Sequence, residues 1–179
     1  DSAFGDLQTA RAHGIAVRPV QQAEFLATAP VGETRTEYRI ATHIDGVPAV
    51  GNLDRIDRLA DGHITVTDYK TGNAESHHTR ERLAGPSEKN NQLGGDYWRQ
   101  MVFYALLLEN DPHHTWQLDE CRIEFVEPQK DGRYRCEAYA VSADEKATVR
   151  EQLTQVYARI QKLDFPGCQE PDCVWCNLT

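Results

Sequence analysis

The sequence predicts a single mixed α/β domain, and three observations carry that reading. Between Thr36 and Tyr69, polar and apolar residues alternate with a period of two, and Asp-Gly pairs interrupt the run twice. Two later stretches, 96–109 and 142–160, carry apolar residues at helical spacing. A second strand-like pair lies between them. The order is helix, three strands, helix, two strands, helix, a mixed pattern that one layered unit can bury. A length of 179 residues suffices for one domain spanning 1–179, with 163–179 as a cysteine-containing tail.

Residues 5–16 form a short candidate helix with Leu7, Ala10 and Ala12 lightly apolar; 17–34 hold two prolines and read as extended or loop. Thr36–His43 alternates as a strand. Asp45-Gly46 supplies a hairpin turn, and Pro48–Arg58 returns. Asp61-Gly62 marks the next turn, and Ile64–Tyr69 is a third strand rich in β-branched residues. Thr71–Gly95 is a polar loop, long enough to suggest a functional or mobile segment. Asp96 is placed to cap a helix through Glu109, with Trp98, Val102, Ala105 and Leu106 at helical spacing. Cys121–Glu127 and Tyr134–Val141 flank Asp131-Gly132 as a hairpin. Ser142 starts a last helix with Val149, Leu153, Val156 and Ile160 on one face.

Composition narrows the function. No apolar run approaches the roughly 20 residues a membrane helix needs. The net charge of −9, from 19 Lys+Arg against 28 Asp+Glu, argues against a uniformly basic coat for nucleic acid. Five cysteines make an odd set, with Cys168, Cys173 and Cys176 crowded as C-x4-C-x2-C. That points away from a secreted disulfide framework and toward reduced thiols or metal in a cytoplasmic protein. Cys121 and Cys136, in strands, are expected as core thiols. The chain begins at Asp1 rather than Met, so it is expected to be a piece of a longer protein.

The most informative stretch is Gly51-Asn52-Leu53-Asp54-Arg55-Ile56-Asp57 followed by Thr67-Asp68-Tyr69-Lys70-Thr71-Gly72. With a three-residue turn at Ala60–Gly62, Asp54 lies directly opposite Asp68. With a two-residue turn the two are diagonal neighbours, and either register lets the carboxylates converge. Asp68 and Lys70 are two apart and share a face. Two close carboxylates cannot both stay ionised cheaply. A divalent cation with oxygen ligands, Mg²⁺ or Mn²⁺, resolves the conflict. A lysine beside it can help activate water and steady developing phosphoryl charge. The plainer reading is a surface hairpin laced by salt bridges. Asp57 is expected to be a structural partner of Arg55 or Arg58. Trp98 and Phe103 are expected in the core, and the pairs His77-His78 and His113-His114 in solvent.

G-N-L-D-R-I-D, then D-Y-K-T-G, then Gln100-Met101-Val102-Phe103-Tyr104 together resemble the RecB-type branch of the PD-(D/E)xK nuclease superfamily. Such domains often sit at the C-terminus of UvrD-like helicases, and in AddB-type subunits and CRISPR-associated exonucleases. The resemblance spans about Glu37–Tyr104 and, more loosely, the cysteine tail. It implies a restriction-endonuclease-like mixed sheet flanked by helices, and a metal-dependent deoxyribonuclease, an exonuclease, working in DNA repair or recombination. Asp54 and Asp68 would ligate metal with the Tyr69 backbone carbonyl, and Lys70 would be the catalytic lysine. Gln100 and Tyr104, which share a helix face, would position lysine, water or DNA. Glu37 stands where related sequences carry a site glutamate on the first strand. The family's upstream metal-binding histidine has no match; His13, followed by Gly14, does not fit it. The three tail cysteines resemble the C-terminal part of a [4Fe–4S] site whose fourth cysteine lies upstream. The implied cluster belongs to the full-length parent. Zinc would equally need a fourth ligand.

Arg55, Arg80, Arg82 and Arg99 gather near this constellation and are candidate contacts to DNA phosphates, with no sequence-reading motif among them. The expected partners are DNA, bound without sequence preference, and a helicase region. A catalytically inactive nuclease-like module that binds DNA or a partner is the alternative.

Overall fold

The computed structural model describes residues 32–72, 74–87, 91–165 and 167. The expected helix over 5–16, His13 and the three tail cysteines lie outside the described residues, as do the side chains of His77 and His78.

Alternation and turns produce strands β1 (Thr34–Ile44), β2 (Val47–Arg58) and β3 (Ile64–Lys70). Asp45 and Gly46, at φ 50° and 82°, make the left-handed pair that a tight hairpin turn requires. β1, β2 and β3 form an antiparallel meander. The β2–β3 register runs from Arg55 opposite Thr67 to Arg58 opposite Ile64. That is the register of the three-residue turn, and its next position sets Asp54 across from Asp68.

After β3 the chain crosses over, through α1 (His77–Leu83) and α2 (Asp96–Glu109), to β4 (Leu118–Phe125). β4 pairs parallel to β3, as such a crossover requires. β5 (Cys136–Tyr139) pairs antiparallel to β4, giving a five-stranded sheet in the order β1-β2-β3-β4-β5. The last element is α3 (Ala143–Gln161). The result is the mixed sheet with flanking helices expected of a restriction-endonuclease-like fold.

The core lies between sheet and α2. Ile40, Ile44, Leu53, Ile56, Ile64 and Val66 meet Met101, Val102, Leu106 and Leu107 there. Each fully buried aliphatic side chain stabilises by roughly 1.5–3 kcal/mol. In β2 strict alternation fails at one place. Gly51 packs against Leu107 and Phe103 of α2, while Ile56, five residues on, is buried on the same core side. The interruption falls opposite Glu37, which holds a left-handed φ of 51° inside β1.

Several expectations need correction. Thr71–Gly95 is not one loop: α1 lies within it, capped by the Ser76 hydroxyl, which accepts from the Thr79 amide. α2 is capped by Gly95, because the Asp96 carboxylate is engaged by Arg82. On α3, begun by a Ser142–Glu145 capping box, Val149 is buried but Val156 and Ile160 are 54% and 46% exposed, because the helix runs off the core. His114 is not solvated: it stacks on Trp116, and its Nδ1 lies 2.9 Å from the Tyr38 hydroxyl.

Cys121 is fully buried, as expected, whereas Cys136 is exposed on the edge strand. Burial pushes the Cys121 thiol up to about 12. In the native protein, Cys121 should therefore resist a maleimide at pH 8 and react only on unfolding. Rapid native labelling, read by peptide mass spectrometry, would contradict its burial.

Candidate active site

The end of β3 and one stripe of α2 build the site. Asp68 is 2% exposed, and its Oδ1 accepts from Gln100 Nε2 at 2.9 Å and from the Tyr104 hydroxyl at 3.1 Å. Gln100 Nε2 also lies 2.8 Å from the Tyr104 oxygen. Gln100 and Tyr104 are one helical turn apart, so one helix face fixes one oxygen of the carboxylate.

The other oxygen is less committed. Asp68 Oδ2 is buried and lacks an aligned hydrogen bond, although Lys70 Nζ stands 2.6 Å away as an ion-pair partner. Lys70 Nζ also donates to Gln100 Oε1, at 2.6 Å. Asp54 Oδ2 accepts the Tyr69 amide at 2.9 Å, which ties the second carboxylate to the backbone between Asp68 and Lys70. Burial raises the Asp68 pKa above the ordinary aspartate value; Lys70 opposes that rise, and the Asp54 charge adds to it. Burial, with Asp68 beside it, likewise raises the Tyr104 phenol. The neutral phenol is thus held as a donor.

The structure therefore brings together Asp54, Asp68, Lys70, Gln100 and Tyr104. Glu37 lies between the pairs Thr36–Arg55 and Tyr38–Leu53, and so across from Asp54. It is exposed and makes no side-chain bond to a described residue. The Tyr69 side chain leaves the site face: its hydroxyl accepts from Arg55 Nη1 at 3.3 Å.

The candidate DNA contacts divide. Arg55 is buried and paired with Asp57, the structural pairing the sequence suggested. Arg82 is clasped by Asp96 and by the Tyr97 hydroxyl. Arg99 donates to the Leu93 and Gly94 carbonyls. Arg80 is exposed on α1 without a side-chain partner among the described residues. Sequence reasoning missed Tyr97, whose ring lies under the Lys70 ammonium, 4.9 Å from its centroid. Its position three residues before Gln100 was the available signal.

Among the described residues no cluster of three or more His, Cys, Asp or Glu side chains is set to hold a metal, and no helix is long and apolar enough to cross a membrane.

The sequence model of the PD-(D/E)XK nuclease superfamily matches residues 4–179. Among solved structures, one described as a candidate exonuclease from Eubacterium rectale is 12% identical, with a TM-score of 0.52 over 99% of this chain and 71% of that one. The crystal structure of SSO0001 is 16% identical, with a TM-score of 0.41 over 87% of this chain and 68% of that one. No curated protein matches.

Proposed function

The chain belongs to the PD-(D/E)XK nuclease superfamily, and on that premise we propose that it is a divalent-cation-dependent deoxyribonuclease of the RecB-like branch, hydrolysing phosphodiester bonds in DNA end processing. The observation that supports this most is the division of labour on Asp68. One oxygen is saturated by Gln100 and Tyr104, while the other is buried against the Lys70 ammonium, beside a second carboxylate. A carboxylate oxygen met only by an ammonium, next to another carboxylate, fits a hard cation such as Mg²⁺ or Mn²⁺, which keeps several waters and needs few protein ligands.

Asp54 and Asp68 would hold that ion, with the Tyr69 carbonyl as a further donor. When bound, it supplies charge neutralisation and a more acidic water. The chain's own part is positioning. Gln100 and Tyr104 fix the plane of the Asp68 carboxylate. Gln100 Oε1 and Asp68 Oδ2 together hold the Lys70 ammonium, which places positive charge where phosphoryl oxygens gain negative charge. DNA would be engaged through its backbone without base readout, with exposed Arg80 as the readiest contact. A helicase region in the parent protein, exonuclease action and a [4Fe–4S] cluster on Cys168, Cys173 and Cys176 complete the proposal.

The test is cleavage of plasmid and single-stranded DNA with Mn²⁺, comparing wild type with Lys70→Ala. The variant should fold normally and lose about 10²–10³ in rate. Equal cleavage by both would remove Lys70 from the mechanism. The alternative reading, a nuclease-like binding module, is favoured by one observation: only two carboxylates meet at the site among the described residues. It predicts DNA binding with no metal-stimulated cleavage by the wild type.

A further inference from the structure

We propose that Tyr97 is a positioning residue for the Lys70 ammonium, a third member of the α2 stripe that serves the site. This rests on the reading of Lys70 as the catalytic lysine. Residues 97, 100 and 104 are spaced three and four apart, so they line one face of α2. Gln100 and Tyr104 meet Asp68 and Lys70 by hydrogen bonds. Tyr97 meets Lys70 with its ring: Nζ stands over the face, 4.9 Å from the centroid.

A lysine needs such a contact. Its four-carbon stem is flexible, and its ammonium is a compact charge with many accessible rotamers. Here the side chain is 17% exposed, so a swing toward solvent is open to it. Gln100 Oε1 and Asp68 Oδ2 hold the head from one side. The ring of Tyr97 closes another side by cation–π attraction, which strengthens as water is excluded.

The ring is itself immobilised. Tyr97 is 6% exposed and sits edge-on to Phe125, with centroids 6.3 Å apart. The Arg82 guanidinium stacks on it at 3.7 Å and donates to its hydroxyl at 2.7 Å. Arg82 is in turn held by both Asp96 carboxylate oxygens, at 2.8 and 3.0 Å. The hydroxyl therefore serves Arg82 alone, while the ring meets both Arg82 and Lys70. Through this clasp α1 supports the lysine without touching it.

The division of roles makes the proposal testable. Tyr97→Phe keeps the ring and loses only the hydroxyl bond to Arg82, so its kcat should fall less than that of Tyr97→Met. Tyr97→Met keeps apolar bulk without a π face. It should lower kcat about three- to thirtyfold, the range a cation–π contact is worth, with KM for DNA little changed. Pentafluorophenylalanine placed at position 97 keeps the shape of phenylalanine and reverses the charge of the ring face. It should lower kcat over the same range, whether or not the methionine variant folds.

A second readout does not depend on cleavage. Reductive methylation, followed by peptide mass spectrometry, should modify Lys70 faster in the methionine and pentafluoro variants than in Tyr97→Phe, with Lys130 and Lys162 as internal references. Equal Lys70 labelling and equal kcat for the phenylalanine and pentafluoro forms would overturn the proposal. If Lys70→Ala leaves cleavage intact, the functional reading fails instead, while the labelling comparison still decides whether the ring holds the ammonium.

Discussion

An Asp68→Asn chain should lose divalent-cation-dependent cleavage by about 10³-fold and yet melt no lower than the wild type at pH 7. The first half follows from removing the carboxylate on which Gln100, Tyr104 and Lys70 converge. The second follows from its raised pKa, whose main cause is burial. A carboxyl with a raised folded-state pKa binds its proton more tightly folded than unfolded. Its contribution to stability is fully present below the ordinary aspartate pKa of about 3.9. That contribution is lost as pH rises through the folded value. At pH 7 the ionised group is thus a cost to the fold, and the neutral amide avoids it. Mn²⁺ should raise the melting temperature of the wild type and leave that of the variant unchanged. Calorimetry at pH 4 and pH 7, with and without Mn²⁺, checks both halves. A variant that melts several degrees lower at pH 7 would show that the Lys70 ion pair outweighs desolvation.

Gly95→Ala should be the most costly glycine change. Gly95 caps α2 in ordinary extended backbone, at φ −69° and ψ 154°, so its conformation suits any residue. The obstacle is space. A Cβ there would overlap the backbone carbonyls of Glu81 and Arg82, and the Gly95 amide is bonded to the Ala84 carbonyl at 2.7 Å. Backbone cannot swing aside as a side-chain tip can. A cost of about 1–3 kcal/mol is expected, as for other overpacked sites. Displacing the end of α1 would also loosen the Arg82 clasp on Tyr97. Gly62→Ala is the matched control: φ is +89° there with nothing within 4 Å, so only conformational strain of about 1 kcal/mol is introduced. Urea unfolding of both variants makes the comparison. A Gly95→Ala cost no larger than that of Gly62→Ala would mean that α1 yields freely.

The meander was legible because its signals are local. Asp45-Gly46 and Asp61-Gly62 mark turns by residue chemistry alone, and the spacing between them leaves few registers for Asp54 and Asp68. The helix stripe carrying Gln100 and Tyr104 was legible for the same reason. The parallel pairing of β3 with β4 was not, because nothing within either strand encodes which neighbour lies across a 47-residue connection, Thr71–Gln117. α1 was hidden because it is short and polar, and tertiary contacts such as Arg82–Asp96 hold it rather than an apolar face of its own. Arg55, Arg82 and Arg99 illustrate a further limit. Proximity in sequence to the acidic motif suggested phosphate contacts, but their partners, Asp57, Asp96 and the Leu93 and Gly94 carbonyls, are set by packing geometry that composition does not carry.

The long crossover has a kinetic consequence. Asp54, Asp68 and Lys70 come together when one hairpin forms, an event of microseconds. Gln100 and Tyr104 reach Asp68 from 32 and 36 residues away in sequence. Closing that larger loop carries an entropic cost before any contact rewards it. The carboxylate–lysine cluster therefore forms early but is oriented late. A refolding chain should regain hairpin structure before it regains any capacity to cut, so hydrolytic competence reports completion of the fold.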